Sequence, residues 1–544
     1  MKKFAVFDLE TDPFEYGKVP RAFAAAFYDG EALMTKWGSH KVVMDWLCPI
    51  LKNFEGVVYA HNGGKFDILG FVIPHDVDAF FESRVIMRSS RLVSIEYGKA
   101  ELRDSYAILP APLSSHDKGE IDYEKFRKGI RDKYRDEILS YLRRDVESLY
   151  KWVKAFREVH GDVLTAAQAA MKSLHTIVGA KTPKFNYYQD SQFRQYYYGG
   201  RVTAWKLGEF RGDYLYIDLN SAYPWAMTLE HPFTSTFIVD KKNITPQSMV
   251  IFEGVARGCF PVRGKAGESL AYPDDSVSRE YFITGWEYLT AKRLGLIKGT
   301  VKSSLTPEET ISFKPFVQHW HAEKSRCKKS GDKSGEQVAK ITLNSSYGKF
   351  AQKIDKAEEV IFAPSGEDPS IYSGGWREKL VDGEGGYSLW ARDSNRFITP
   401  WNVATAASIS GCVRARLMEA KVQCPGALYC DTDSLIAPAK EAEKLVGEGL
   451  GHWELKAVTG GEKRVYIAGK KLYAFEKGEN NWLTASKGVR LTPEEIRKVA
   501  LGGEVTWKNP VPTYSLTKPL SAPKFLTRKI SGENSLQLNL NMPV

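Results

Sequence analysis

At 544 residues, 43% of them hydrophobic, the chain exceeds what one hydrophobic core organises and can bury several, so roughly two to four domains are expected. A formal net charge of +10 suits a polyanionic partner, but the acids cluster at the ends of apolar segments, a pattern of little use to a protein that merely coats nucleic acid. The six cysteines form no Cys-x-x-Cys pair, which argues against a zinc site or a disulfide framework and for a reducing compartment. No signal peptide and no membrane span are legible, so a cytoplasmic protein is expected.

The first predicted element is a buried strand, Phe4-Ala5-Val6-Phe7-Asp8-Leu9-Glu10, closed by a turn at Thr11-Asp12-Pro13. Alternate side chains of a strand share a face, so Asp8 and Glu10 point to one side. A second strand, Gly56 to Ala60, leads into His61-Asn62-Gly63-Gly64-Lys65-Phe66-Asp67. There the glycines let the backbone approach a ligand, and Phe66 offers a stacking face beside Asp67. A helix over Glu137 to Leu149 follows, with Tyr141 and Asp145 projecting from one face at i, i+4. Alone, Asp145 would be a solvated helix acid paired with Arg143 or Arg144. Together Asp8, Glu10, Asp67 and Asp145 have the inventory of a two-metal hydrolytic site. Two cations roughly 4 Å apart would activate a water and stabilise a departing 3′-oxygen, with Tyr141 orienting the water.

Farther along, a strand beginning at Tyr214 ends on Asp218 and turns at Asn220-Ser221 into a helix containing Trp225. In the helix from Lys340 to Phe350, Lys340, Asn344 and Tyr347 fall on one face at i, i+4, i+7. A core-facing stripe would be aliphatic, whereas this one is polar and aromatic, as expected if it faces a ligand: lysine for a triphosphate, tyrosine for a base plane. Tyr429-Cys430-Asp431-Thr432-Asp433-Ser434 then sets two carboxylates two residues apart behind an apolar lead-in, the donor set a hard Mg²⁺ ion prefers.

The order of these segments resembles one family closely. Asp8-x-Glu10, Asn62-x-x-x-Phe66-Asp67 and Tyr141-x-x-x-Asp145 match the three proofreading-exonuclease motifs of family B DNA polymerases. The segments around Asp218-Tyr223, Lys340-Tyr347 and Asp431-Asp433 resemble its motifs A, B and C. The resemblance implies a mixed α/β, multidomain fold: a ribonuclease-H-like exonuclease domain over 1–160, a linker and template-binding segment over 161–213, palm and fingers over 214–485 with insertions at about 231–313 and 353–396, and a thumb over 486–544. It also implies two Mg²⁺ ions in each site, with Mn²⁺ as an alternative. Asp218 and Asp433 are the surest polymerase ligands, and Asp431 joins them or lies nearer the primer. Tyr223 would pack beneath the sugar and exclude ribonucleotides. A second phosphate ligand would come from the basic helix Phe316 to Lys329; counting from Lys340 favours Lys328, counting from Trp320 favours Lys324, and both stay open.

Other segments resemble the family too. Tyr197, Gly199 and Gly200 lie in a Tyr-x-Gly-Gly-like run that would contact template, and Lys471-x-Tyr473 resembles the motif that contacts the primer terminus. Ser105 would help Asn62 and Phe66 hold the single-stranded 3′ end, and Lys118 would assist the exonuclease chemistry. The short length and the Lys118 segment point to the protein-primed branch of small phages and linear mobile elements. There a terminal protein supplies the first hydroxyl, and a charged, Gly-rich segment such as 353–396, read here as a protruding hairpin, supports strand displacement. The partners implied are primer-template DNA, a single-stranded 3′ end, deoxynucleoside triphosphates and a terminal protein, with the chain itself a monomer. The alternatives are a family B polymerase that extends nucleic-acid primers, and a nuclease or single-strand-binding factor with a vestigial polymerase half.

Overall fold

The structure is a computed structural model. It describes residues 2–12, 20–80, 83–88, 91–111, 120–264, 270–352, 356–364, 366, 374–382, 387–397, 401–479, 481–508 and 527–531. Seven strands build the first sheet: β1 (Phe4–Thr11), β2 (Ala22–Tyr28), β3 (Leu33–Trp37), β4 (Gly56–Ala60), β5 (Val85–Arg88), β6 (Arg91–Tyr97) and β7 (Ala100–Asp104), in the order β3-β2-β1-β4-β7-β6-β5. β1, β4 and β7 run parallel, and the flanking pairs are antiparallel.

Both faces of β1 are covered, and its period of two decides what each face sees. Ala5, Phe7 and Leu9 join a core with Val43, Met44 and Leu47 of the helix His40–Asn53. Val6 faces the other way, into a core built with Ile138, Leu142 and Val146 of the long helix Arg135–His160. Asp8 and Glu10 fall on the Val6 side by the same alternation. The long helix buries a stripe in which Tyr141 and Asp145 take places otherwise held by Ile138, Leu142, Val146 and Leu149. The strand acids and the helix acid are therefore brought to one face by burial of their apolar neighbours.

The second sheet has five antiparallel strands in the order Trp453–Val458, Tyr214–Leu219, Ser434–Pro438, Tyr429–Asp431, Val202–Ala204. In Tyr214–Leu219, Leu215, Ile217 and Leu219 are buried and Tyr214, Tyr216 and Asp218 half-buried. The buried set packs on a core shared with the helix Val403–Gln423 and with the helical hairpin Lys314–Ser330 and Lys333–Phe350. Gly331, at φ 73, closes the first helix of that hairpin, and Asp332 caps the second. A four-stranded sheet carrying Leu472–Gly478 and a small tail of the helix Pro493–Ala500 with paired strands Glu504–Lys508 and Thr527–Ser531 complete this half. No helix among the described residues is long and apolar enough to cross a membrane.

Two segments differ from their sequence reading. Residues 231–313, irregular in sequence, contain an antiparallel sheet of four strands in the order Phe237–Val239, Ile297–Pro307, Met249–Ala256, Arg279–Thr284, with the helix Gly285–Arg293 between Arg279–Thr284 and Ile297–Pro307 in the chain. The segment read as a protruding hairpin has three paired strands, Lys356–Pro364, Tyr387–Phe397 and Arg377–Asp382. It does not simply protrude: Phe362 and Leu389 are buried in the core that also holds Phe7 and Met44.

Candidate active sites

The first centre forms where β1 meets the long helix. Carboxylate oxygens of Asp8, Glu10 and Asp145 lie within 4.8 Å of one another, a spacing that fits a shared cation. Asp67 sits at the start of a π-helical turn, Ile68–Val72, with its carboxyl directed at the Leu9 amide next to Asp8. Burial, then the charge of Asp8, pushes its pKa well above the usual carboxylate range. Its Oδ1 is buried and lacks a hydrogen-bond partner among the described residues, as expected of an atom reserved for a cation. Tyr141 is 1% exposed, and its hydroxyl lies 3.2 Å from that of Tyr123. Burial and that neighbour raise its phenol pKa, so it stays protonated and able to donate. Asn62 and Phe66 border the turn, with Phe66 edge-on to Phe71 at 5.1 Å. Ser105 is fully buried, its Oγ 3.0 Å from Nδ1 of His61, the residue before Asn62. Lys118 lies outside the described residues.

The second centre is set by strand register. Asp218 pairs with Ser434, and the Leu219 amide donates to the Asp433 carbonyl at 2.7 Å, which puts Asp218 beside Asp433 at adjacent strand ends. Burial, then the charges of Asp218 and Asp431, pushes the Asp433 carboxyl up to about 7, and burial raises Asp218 as well. A bound cation would relieve this crowding of like charge. Asp431 is differently engaged: Lys471 Nζ donates to both of its oxygens at 2.8 Å, while the Lys471 amide donates to the Tyr429 hydroxyl at 2.9 Å. Tyr473 lies 4.9 Å from Tyr429, ring to ring. Tyr223, at the start of the helix Ala222–Met227, stacks on Tyr347 with centroids 4.0 Å apart and planes at 6°. Lys340 and Lys328 are exposed and Lys324 half-buried.

Backbone geometry marks the same places. Among the described residues the non-glycine positions with positive φ are Asn62, Ser221, Thr432 and Lys471, one in each of four motif loops. Each costs about 1–2 kcal/mol, which surrounding structure offsets.

The Tyr-x-Gly-Gly-like run read from sequence as a template contact is held by residues that were not singled out there: Arg414, Glu287 and Arg263. The segment Tyr196 to Arg201 runs beside the second centre: Thr432 donates its amide to the Arg201 carbonyl at 2.6 Å, and a Cβ at Gly200 would meet the Thr432 side chain at 2.5 Å. Arg414 anchors this strap, donating from Nη1 to the carbonyls of Tyr198 at 2.7 Å and Gly199 at 3.0 Å. Its other nitrogens donate to Glu287 at 2.8 and 3.0 Å in a fully buried ion pair. Arg263 donates to the carbonyls of Arg194, Gln195 and Tyr197. The available signals were Arg414 following the small and apolar run Val403 to Val413, and the capping box of Thr284 and Glu287.

A ribonuclease-H-like sheet with one acid centre, joined to an antiparallel palm with another, defines a nucleic-acid polymerase that carries an editing nuclease. The family model described as DNA polymerase type B, organellar and viral, matches residues 113–387. The DNA-directed DNA polymerase of Enterobacteria phage PRD1 is 35% identical, with 97% of this chain and 98% of that one aligned. The DNA polymerase of Bacillus phage phi29 is 24% identical over 62% of this chain and 59% of its own length. The structure of phi29 DNA polymerase with primer-template DNA superposes with a TM-score of 0.74 at 18% identity, over 98% of this chain and all of that one. The chain belongs to the type B DNA polymerases of viruses and organelles, in their protein-primed branch. Enzymes of this family depend on divalent metal ions, and the carboxylates of both centres fit that requirement.

Proposed function

We propose that this DNA polymerase replicates a linear phage genome in the host cytoplasm as a monomer, starting on a terminal protein, displacing the non-template strand and editing its product in the 3′→5′ direction. The observation that carries the polymerising half is the placement of Asp218 beside Asp433 at adjacent strand ends, next to the Tyr223-Tyr347 stack. Asp218 and Asp433, and separately Asp8, Glu10, Asp67 and Asp145, would hold Mg²⁺ or Mn²⁺, which would supply charge neutralisation to the reacting oxygens.

The chain's own residues do the rest. Lys340 receives the triphosphate of the incoming deoxynucleotide. Lys324 is its partner, because Lys324 and Lys340 lie about two and about two and a half turns from the hairpin turn at Gly331, whereas Lys328 lies less than one turn from it. Lys471, held by Asp431, meets the primer terminus, so Asp431 acts on the primer side more than on the cation. Tyr197, Gly199 and Gly200 follow the template, with Gly200 giving the backbone room. In the nuclease centre Asn62 and Phe66 hold the single-stranded 3′ end, His61 is steadied by Ser105, and Tyr141 donates to the attacking water.

Incubation of the enzyme with its terminal protein and labelled dATP is expected to leave nucleotide covalently on that protein. Labelled oligonucleotide primers with no labelled protein would instead identify an enzyme that extends nucleic-acid primers. For Tyr223→Val, the preference in kcat/KM for deoxy- over ribonucleotides is expected to fall roughly 10–200-fold, the scale of a lost steric exclusion. Unchanged discrimination would remove Tyr223 from that role.

A further inference from the structure

The long helix Arg135–His160 carries Tyr141 and Asp145 into the nuclease centre, and its last residue reaches the other half of the molecule. His160, 8% exposed, has Nε2 2.8 Å from the hydroxyl of Thr342, which lies in the helix Lys333–Phe350 two residues beyond Lys340. That hydroxyl donates its single proton to the Val338 carbonyl at 2.8 Å, so the imidazole must be the donor, through Nε2–H. Burial, helped by Lys172, holds the His160 pKa down to about 4, consistent with a neutral ring. The ring lies against Phe156 at 4.9 Å and against Trp320 of the companion helix Lys314–Ser330 at 5.3 Å. Trp320 Nε1 in turn donates to Ser173 Oγ at 2.9 Å. Val338 and Ile341 are buried in the same core as Phe156, Val163 and Ala166.

The helix with Lys340 and Tyr347 is thus seated in the core of the nuclease half along one face, while Lys340 and Asn344 on the opposite side are exposed. Apolar contacts permit sliding along or about a helix axis; one directional bond at its middle does not. We infer that His160 is a positioning residue for nucleotide binding: by its bond to Thr342 it fixes the rotation of this helix, and with it the direction in which Lys340 and Tyr347 present themselves toward Tyr223. The inference rests on reading Lys340 as a triphosphate ligand. It also gives the two activities a common strut, since Asp145 and His160 lie about 22 Å apart on one helix.

The test uses the full-length enzyme. His160→Phe keeps an aromatic ring and removes the donor, while Thr342 retains its bond to Val338. The KM for deoxynucleotide is expected to rise about 3- to 10-fold, the effect of one lost hydrogen bond, with kcat at saturation and degradation of single-stranded DNA little changed. The nucleotide concentration at which degradation gives way to extension should rise by the same factor. Thr342→Val should raise KM comparably, and the double variant should be no worse than the poorer single one, because both remove the same bond. His160→Gln, which restores an amide donor, should recover part of the loss. Lowered thermal stability with KM unmoved in both single variants, or additive effects in the double variant, would overturn the inference. Lys340→Ala separates the two readings. If it raises KM while His160→Phe does not, only the positioning role falls; if Lys340→Ala itself leaves KM unmoved, the reading of the helix falls, and this inference with it.

Discussion

Asp433→Ala is expected to lower strand extension by at least about 10³-fold, because charge stabilisation at such a centre is worth several kcal/mol and Asp433 stands directly beside Asp218. Degradation of a single-stranded 3′ end by the same variant should stay within about twofold of the parent, as for independent sites. The reason is structural: Asp433 belongs with the core beneath the palm sheet, whereas Asp8 and Asp145 lie over the core between β1 and the long helix. Asp8→Ala combined with Asp67→Ala should do the reverse, abolishing degradation and sparing extension. Gel assays on primer-template and on single-stranded substrate check both. A variant that lost both activities in parallel would show that the centres are not separate.

These acids were legible because each sits where a local period makes it anomalous. Asp8 and Glu10 follow an apolar strand on alternate positions, and Tyr141 and Asp145 interrupt an otherwise aliphatic stripe. The motif at Asp431 needed only an apolar lead-in. The sheet within 231–313 was hidden by its own geometry. Gly254 and Gly299 face each other on paired strands, where a Cβ on either would meet the opposite carbonyl at 2.3 or 2.2 Å, and the ladder shifts register between Ile251 and Phe252. Glycines and an irregular register read as loop. Nor could the docking of Phe362 and Leu389 be read, since the partners that bury them are hundreds of residues away. The preference proposed for Lys324 over Lys328 rests on the turn at Gly331 between the two helices, which neither way of counting along the sequence included.

Arg414 is the clearest case of a residue whose importance lies wholly in tertiary structure, and its removal has the second large expected effect. Glu287 is 0% exposed and Arg414 3%, so Arg414→Ala leaves a buried carboxylate without its cation. The expected cost is about 3–5 kcal/mol, read as a lowered thermal midpoint. Arg414→Lys should restore little, because one ammonium cannot supply the fork to Glu287 and also reach the Tyr198 and Gly199 carbonyls. Replacing both charges, Arg414→Met with Glu287→Met, should recover part of the stability: an apolar pair of similar volume avoids the desolvation penalty, while the Thr284 amide and hydroxyl lose their acceptor. It should not recover template handling: the strap carbonyls of Tyr198 and Gly199 still lack their donor, so the Kd for primer-template should remain raised by about tenfold, the worth of a charge-assisted hydrogen bond. Separation of stability from DNA affinity is the outcome that assigns Arg414 to the strap. If the double variant regained both together, Arg414 would serve the buried ion pair alone.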